Sequence, residues 1–293
     1  MISIVMRARS LSLNPPSSSS SPSVHPKSLS PHASSSSPSL CSPVALEMLQ
    51  LLNEGKCEIV IQLAKVNAYA NGDCAGLLAL CYSSGYGTNI SHKERERWSQ
   101  VAIEAGTTLG CAIGYYILKK YDLSLPFLQV LVKENMSVAQ YMLGLQLHLG
   151  LGIAKDVREG LLLYQKAAGQ GNPSAMYALA FCYKNGDGVE MDFKKAFSLY
   201  QECADKGLCR AFYNLGLCYE VGVGVPKDKK KALSYFQQGA AKGDEEASQK
   251  LGVAYLEGKF GLKKDKREAM KHLELAAALG SERAERKLRE LKK

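Results

Sequence analysis

Compared with itself at a shift of 36 residues, the chain repeats its apolar and small positions through four consecutive units beginning near Ser137, Pro173, Cys209 and Glu245. Ala139, Ala175, Ala211 and Ala247 coincide. So do Leu143, Leu179, Leu215 and Leu251, followed by the small residues Gly144, Ala180, Gly216 and Gly252. Within one unit, Ala211, Leu215, Gly216 and Tyr219 stand at i, i+4, i+5 and i+8, which places them on one face of a helix. The small residue after the leucine predicts a close approach by a partner helix. A Gly-x-Gly follows, as in Gly186-Asp187-Gly188, and marks the break, because glycine readily adopts the positive φ that ends a helix. Asp156, Asp192 and Asp228 then read as N-caps of a second helix. Asp265 comes one step late because the last unit carries an extra residue near Phe260. Asp156 with Glu159, and Asp265 with Glu268, have capping-box spacing, and the second helices end at Gly171, Gly207, Gly243 and Gly280.

Upstream the pattern is more worn. Leu78, Ala79, Tyr82, Gly85 and Gly87 recur with Trp98, Ala102 and Gly106 at the same offsets, so residues 74–109 form a further unit. Residues 110–138 form a shortened one without the Gly-x-Gly loop, in which Leu128, Leu131 and Val132 still fall where a second helix buries them. Residues 43–73 read as a helix pair closing the N-terminal end of the array, and 282–293 as a polar helix closing the other. The expected fold class is all-α, with no sheet.

Residues 1–42 change this picture only at the end of the chain. They are dominated by Ser and Pro and hold no acidic residue, so they carry too little apolar surface to offset the entropy of ordering, and disorder is expected. The same composition is that of an organelle transit peptide, closer to a chloroplast signal than a mitochondrial one with early arginines only at Arg7 and Arg9; a plain polar tail in the cytoplasm is the alternative. The longest apolar run, Tyr141 to Ala154, is interrupted by Gln146 and His148 and falls short of the roughly 20 residues a bilayer crossing needs. Thirty-seven basic against 28 acidic residues give a net charge of +9, a mild bias that fits a lysine-covered helical array as well as an acidic partner. The nine cysteines form no C-x-x-C pair and no Cys/His cluster at metal-ligand spacing. Cys182 and Cys218 share a repeat position with Ala254, as small buried hydrophobes would, and reduced thiols are expected. No metal site and no cofactor is expected. Ser-x-x-Lys, Gly-x-Ser-x-Gly, His-Glu-x-x-His and the phosphate-binding G-x4-G-K-[ST] are all missing, and the five histidines are scattered, so the sequence predicts no enzyme.

The pattern A-x-Y-x-L-G-x-x-Y-x-x-G-x-G-V-x-x-D-x-x-K-A, almost complete in Arg210 to Gly243, resembles the Sel-one-like repeat, a relative of the tetratricopeptide repeat. The resemblance covers residues 74–281 and is strongest from 137 onward. It implies a right-handed α-solenoid of antiparallel helix pairs, and a role as an adaptor or scaffold that binds other proteins or peptides. Matched to tetratricopeptide units, the concave contact positions are Tyr141, Tyr177 and Tyr213, then Leu145, Phe181, Leu217 and Val253, then His148, Lys184 and Glu220. A ladder of aromatic and apolar residues rimmed by changing charges suits a peptide groove, although the tyrosine also belongs to the repeat pattern and fills the joint between units in the alternative reading. The lysine clusters 227–231 and 263–267 lie on one edge, and a helical-repeat RNA binder is the second hypothesis. The Gly-x-Gly and Asp loop argues against it.

Overall fold

The computed structural model describes residues 41–291, so the expected disorder and import signal of residues 1–42 lie outside the described residues but for the last two positions. Among the described residues there are fifteen α-helices, one 3-10 turn and no strand. Two helices lead, α1 (Pro43–Asn53) and α2 (Cys57–Asn67). Six helix pairs follow: α3 (Gly72–Ser84) with α4 (His92–Ala105), α5 (Thr108–Ile117) with α6 (Tyr121–Lys133), and α7 (Ser137–Leu149) with α8 (Val157–Gly169); then α9 (Pro173–Asn185) with α10 (Phe193–Asp205), α11 (Cys209–Val221) with α12 (Lys229–Ala241), and α13 (Glu245–Glu257) with α14 (Lys266–Ala278). Helix α15 (Glu282–Leu291) packs against α14 at the end. Except for α5, which packs most extensively on α3, each first helix packs most extensively on the second helix of its own pair, and each second helix also packs on the first helix of the next, which makes the array a solenoid.

Local chemistry sets the helix ends. The first helices of the full-length pairs stop at a glycine in the left-handed region: Gly222 has φ +85° and donates its N–H to the Cys218 carbonyl at 2.8 Å. Two residues on, Gly224 has φ +74° and lies against the Phe193 backbone, where a Cβ would overlap the carbonyl oxygen. The aspartates begin the second helices: the Asp192 carboxylate accepts from Lys195 N at 2.9 Å and that of Asp228 from Lys230 N and Lys231 N at 3.0 Å. The extra residue of the last unit is taken up in the 3-10 turn Lys259–Gly261, with Phe260 at φ +58°. In the shortened unit, Lys119 at φ +61° makes the turn that Gly-x-Gly makes elsewhere.

Close approach is decided by the small residue after the leucine. A Cβ on Gly216 would lie 2.5 Å from the Phe236 ring, so this glycine is the slot that seats the aromatic of α12 against α11. Phe236, Ala232, Ala240, Ala247 and Leu251 form one buried cluster, and Leu273, Ala276, Ala284 and Leu288 form the next, closing the array under α15. All nine cysteines are buried free thiols, and Cys182 and Cys218 sit in the core at the position filled by Ala254.

The leading residues fold back onto the later units, a feature the repeat pattern does not announce. Asn53 Nδ2 donates to Ser137 Oγ at 3.3 Å at the start of α7, and the Tyr86 hydroxyl lies 2.7 Å from Ser174 Oγ at the start of α9. Lys206 Nζ donates to the Asn53 carbonyl at 2.6 Å, Cys57 Sγ to the Lys206 carbonyl at 3.3 Å, and Arg210 Nη2 to the Ser83 carbonyl at 3.4 Å. The carbonyls of Asn53 and Ser83 belong to the last turns of α1 and α3, which no helical N–H satisfies, so Lys206 and Arg210 supply both a donor and a favourable charge there. Residues 53–92 thereby run along the N-terminal ends of α7, α9 and α11, and Asn89 and His92 reach the turns at Gly243 and Gly280.

Candidate protein-docking face

The fold-back divides the first helices into two groups. In α3, α5 and α7 nearly every side chain is buried, on all sides of the helix, and in α9 this holds for residues 173–180. Helices α11 and α13 keep one face toward solvent.

The expected contact residues therefore separate. Tyr141, Tyr177, Leu145 and His148 are buried and do not line an open groove, which corrects the expectation for these four positions. The Tyr141 ring lies 6.2 Å from that of Tyr164, and burial pushes its hydroxyl pKa up to about 12. The Tyr177 hydroxyl accepts from Asn214 Nδ2 at 2.8 Å and its ring meets Tyr200 edge-on at 5.5 Å, so it fills the joint between units. His148, 1% exposed, lies with Nε2 3.0 Å from Asp187 Oδ2, tying α7 to the Gly-x-Gly loop of the next unit. The remaining expected residues, Tyr213, Phe181, Leu217, Lys184 and Glu220, are half-buried along α9 and α11, Tyr213 and Leu217 resting partly on the Phe236 cluster, with half-buried Val253 continuing the line on α13.

Two groups that the register did not single out complete this face. Lys250 on α13 pairs with Glu220 at 2.7 Å, joining the two helices. Beyond it, Val253 and Gln249 share a cavity of about 430 Å³ with Arg283, Arg286 and Lys287 of α15. Their spacing at i, i+3 and i+4 is the visible signal in the sequence that these three cations share one helix face.

At the boundary between the sealed and open parts, Asp244 is buried and caps α13, accepting from Ala247 N at 2.7 Å. Burial, reinforced by nearby Glu246, raises its carboxyl pKa to about 7 against the opposing pull of that N–H and of Arg210. The lysine clusters are exposed on the loop edge, and Lys231 Nζ lies 5.3 Å from the centre of Tyr219; in the preceding unit Lys195 Nζ lies 4.1 Å from that of Tyr183. Among the described residues no group of His, Cys, Asp and Glu could hold a metal ion, and no helix is long and apolar enough to cross a membrane.

This architecture has relatives of known structure. A Sel1 repeat protein from Oxalobacter formigenes matches over 80% of this chain and 97% of its own, at 24% identity and a TM-score of 0.53. The protective antigen c5321 of uropathogenic Escherichia coli, which displays an SLR fold, matches over 78% of this chain and 50% of its own, at 24% identity and a TM-score of 0.52. At these identities the likeness is one of fold. No curated protein matches the chain. The family model for the Sel1 repeat matches residues 137–172, 173–208, 210–244 and 246–281, unit for unit with α7 to α14. Over residues 137–281 the chain carries four Sel1 repeats in tandem, on a fold shared with Sel1 repeat structures.

Proposed function

We propose that this chain is a non-enzymatic scaffold that holds a segment of a partner protein on the open face of its C-terminal units. Sel1 repeat proteins are generally protein-interaction scaffolds and typically not enzymes, which supports the class of function. The observation that carries the location is the change in exposure along one repeat position: Leu145 is sealed in α7, whereas Phe181, Leu217 and Val253 are half-buried in α9, α11 and α13. Beside this apolar line stand Lys184, the Glu220–Lys250 pair and the cations of α15, so the face offers apolar contact area with a charged rim.

The test uses the full chain as bait in a nuclease-treated lysate, followed by affinity measurement with each retained protein. Phe181→Ala is expected to weaken binding by about 2 kcal/mol or more, a hot-spot loss, with little change in Tm. Leu215→Ala, at a fully buried position, serves as the control that lowers Tm. Equal affinity of wild type and Phe181→Ala sinks this location. Retention that disappears with nuclease and falls steeply with salt identifies an RNA binder instead.

A further inference from the structure

A second surface lies on the loop edge, away from the face just described, and does not depend on that reading. Between the Gly-x-Gly loop of the α9–α10 pair and that of the α11–α12 pair runs a groove of about 1010 Å³, lined by Tyr183, Val189, Met191, Phe193, Val225 and Pro226. Its floor is set by Gly224, seated on the Phe193 backbone. Met191 is 61% exposed and Phe193 42%.

These two residues depart from the repeat. Counted from the first loop glycine, Met191 takes the position of Lys155 and Lys227, and Phe193 that of Val157 and Lys229. Shifted by the one extra residue, the last unit has Lys264 and Lys266 there. The residue at the first position packs its stem on the loop glycine in each unit, Ile90 in the upstream unit included, and lysine serves for that contact and for the start of the second helix; the exposed apolar ends of Met191 and Phe193 go beyond what the turn requires. Side chains of this kind supply anchor area for a ligand at modest entropic cost.

The rim is basic. Lys194 lines the groove and Lys227 follows Pro226 of its lining, with Lys229 and Lys230 just beyond in the chain; all four are exposed, and none is paired with a carboxylate among the described residues. The neighbouring acids are largely spent within the fold: Asp192 and Asp228 accept from backbone N–H groups at the helix starts, and Asp187 meets His148. Glu190 is the one further carboxylate lining the groove. A continuous phosphate backbone is disfavoured by the apolar floor and by Glu190 within it. A peptide suits both features, one side chain in the groove and carboxylates toward the lysines.

We infer that this groove docks a short acidic segment of a partner protein through a single aromatic or large aliphatic anchor, with flanking Asp or Glu against Lys194 and Lys227. The experiment is a selection from a random 12-residue peptide display library on the immobilised full chain. The strongest peptides are then measured by fluorescence anisotropy. Enrichment of Asp and Glu around a Phe, Leu or Met is expected. Affinity should fall at least ten-fold in Met191→Lys with Phe193→Lys, which restores the residues of the following unit and should leave Tm unchanged. It should fall comparably in Lys194→Glu with Lys227→Glu, and should be indifferent to Phe181→Ala. The inference is overturned if no peptide is enriched, if the enriched peptides are basic or uncharged, or if they lose affinity with Phe181→Ala and not with the Met191 and Phe193 changes. Displacement of the peptide by a 20-nucleotide oligo(U), with tighter oligo(U) binding to the double-lysine variant, also overturns it in favour of a nucleic-acid edge.

Discussion

Helices α7 and α11 occupy the same place in two units that share a repeat register, yet they live in different solvents. Leu145 of α7 is 1% exposed, whereas Leu217, two units later and at the same repeat position, is half-buried. His148 is sealed against Asp187, whereas Glu220, its counterpart, is bridged to Lys250 on an open face. The difference does not come from the helices themselves, since both are 13 residues long and end on a left-handed glycine. It lies in their surroundings: Gln146 of α7 donates to Ser124 of the preceding unit and the Tyr141 ring meets Tyr164, whereas on α11 the Glu220–Lys250 bridge is the contact made toward α13. A repeat position therefore fixes which way a side chain points, and position along the array fixes what it meets.

The largest effect that could break this comparison is a paired truncation. Leu145→Ala removes a fully buried side chain and should cost about 2 to 5 kcal/mol, whereas Leu217→Ala should cost about 1 kcal/mol or less. Denaturant melts of the two variants check it, and equal losses would erase the distinction between the regions. A smaller effect tests how dry the boundary is at Asp244. Its folded pKa, about 7, lies above the ordinary carboxyl value of 3.8, so between pH 4 and 7 the folded state keeps a proton that the unfolded state has released. Stability from this group is thus lost as pH rises through that window and levels off above it. Asp244→Asn keeps the cap and does not titrate, so it should match wild type near pH 4 and exceed it at pH 8, by a few kcal/mol at most. Thermal melts of both proteins across that range read the difference, and parallel curves would show a solvated carboxylate. The smallest effect concerns the fold-back itself. Lys206→Ala deletes the hydrogen bond to the Asn53 carbonyl and should cost about 1 kcal/mol. Amide hydrogen exchange should then speed up in α1 and α2 before it changes in α11 or α13, and uniform acceleration would show that the closure is not a local element.

Much of the fold was legible because each signal is local. The helix starts at Ser137, Pro173, Cys209 and Glu245, the glycine breaks and the aspartate caps depend on contacts within a few residues, and a 36-residue period repeats them until they cannot be mistaken. The displaced cap at Asp265 was legible for the same reason, and its extra residue became the turn at Phe260. The docking face was legible only in direction. Tyr141, Tyr177, Leu145 and His148 were assigned to it because their repeat position points inward along the array, and the structure buries them because other segments of the chain fill that space.

The sequence by itself determined the helix pairs, their ends, the glycine slots such as Gly216 under Phe236, and the odd Met and Phe at 191 and 193 where the two following units carry lysine. The helix ends follow from backbone sterics and capping hydrogen bonds that act within a few residues, and the slots from side-chain periodicity within one helix pair. Only the tertiary structure decided that the leading residues fold back onto later units, through contacts such as Asn53 with Lys206 and Ser83 with Arg210, between residues more than 120 apart in the chain. No periodic pattern records such a contact: the cations that make it, Lys206 and Arg210, meet carbonyls that every helix end exposes, and only the path of the superhelix brings the two together.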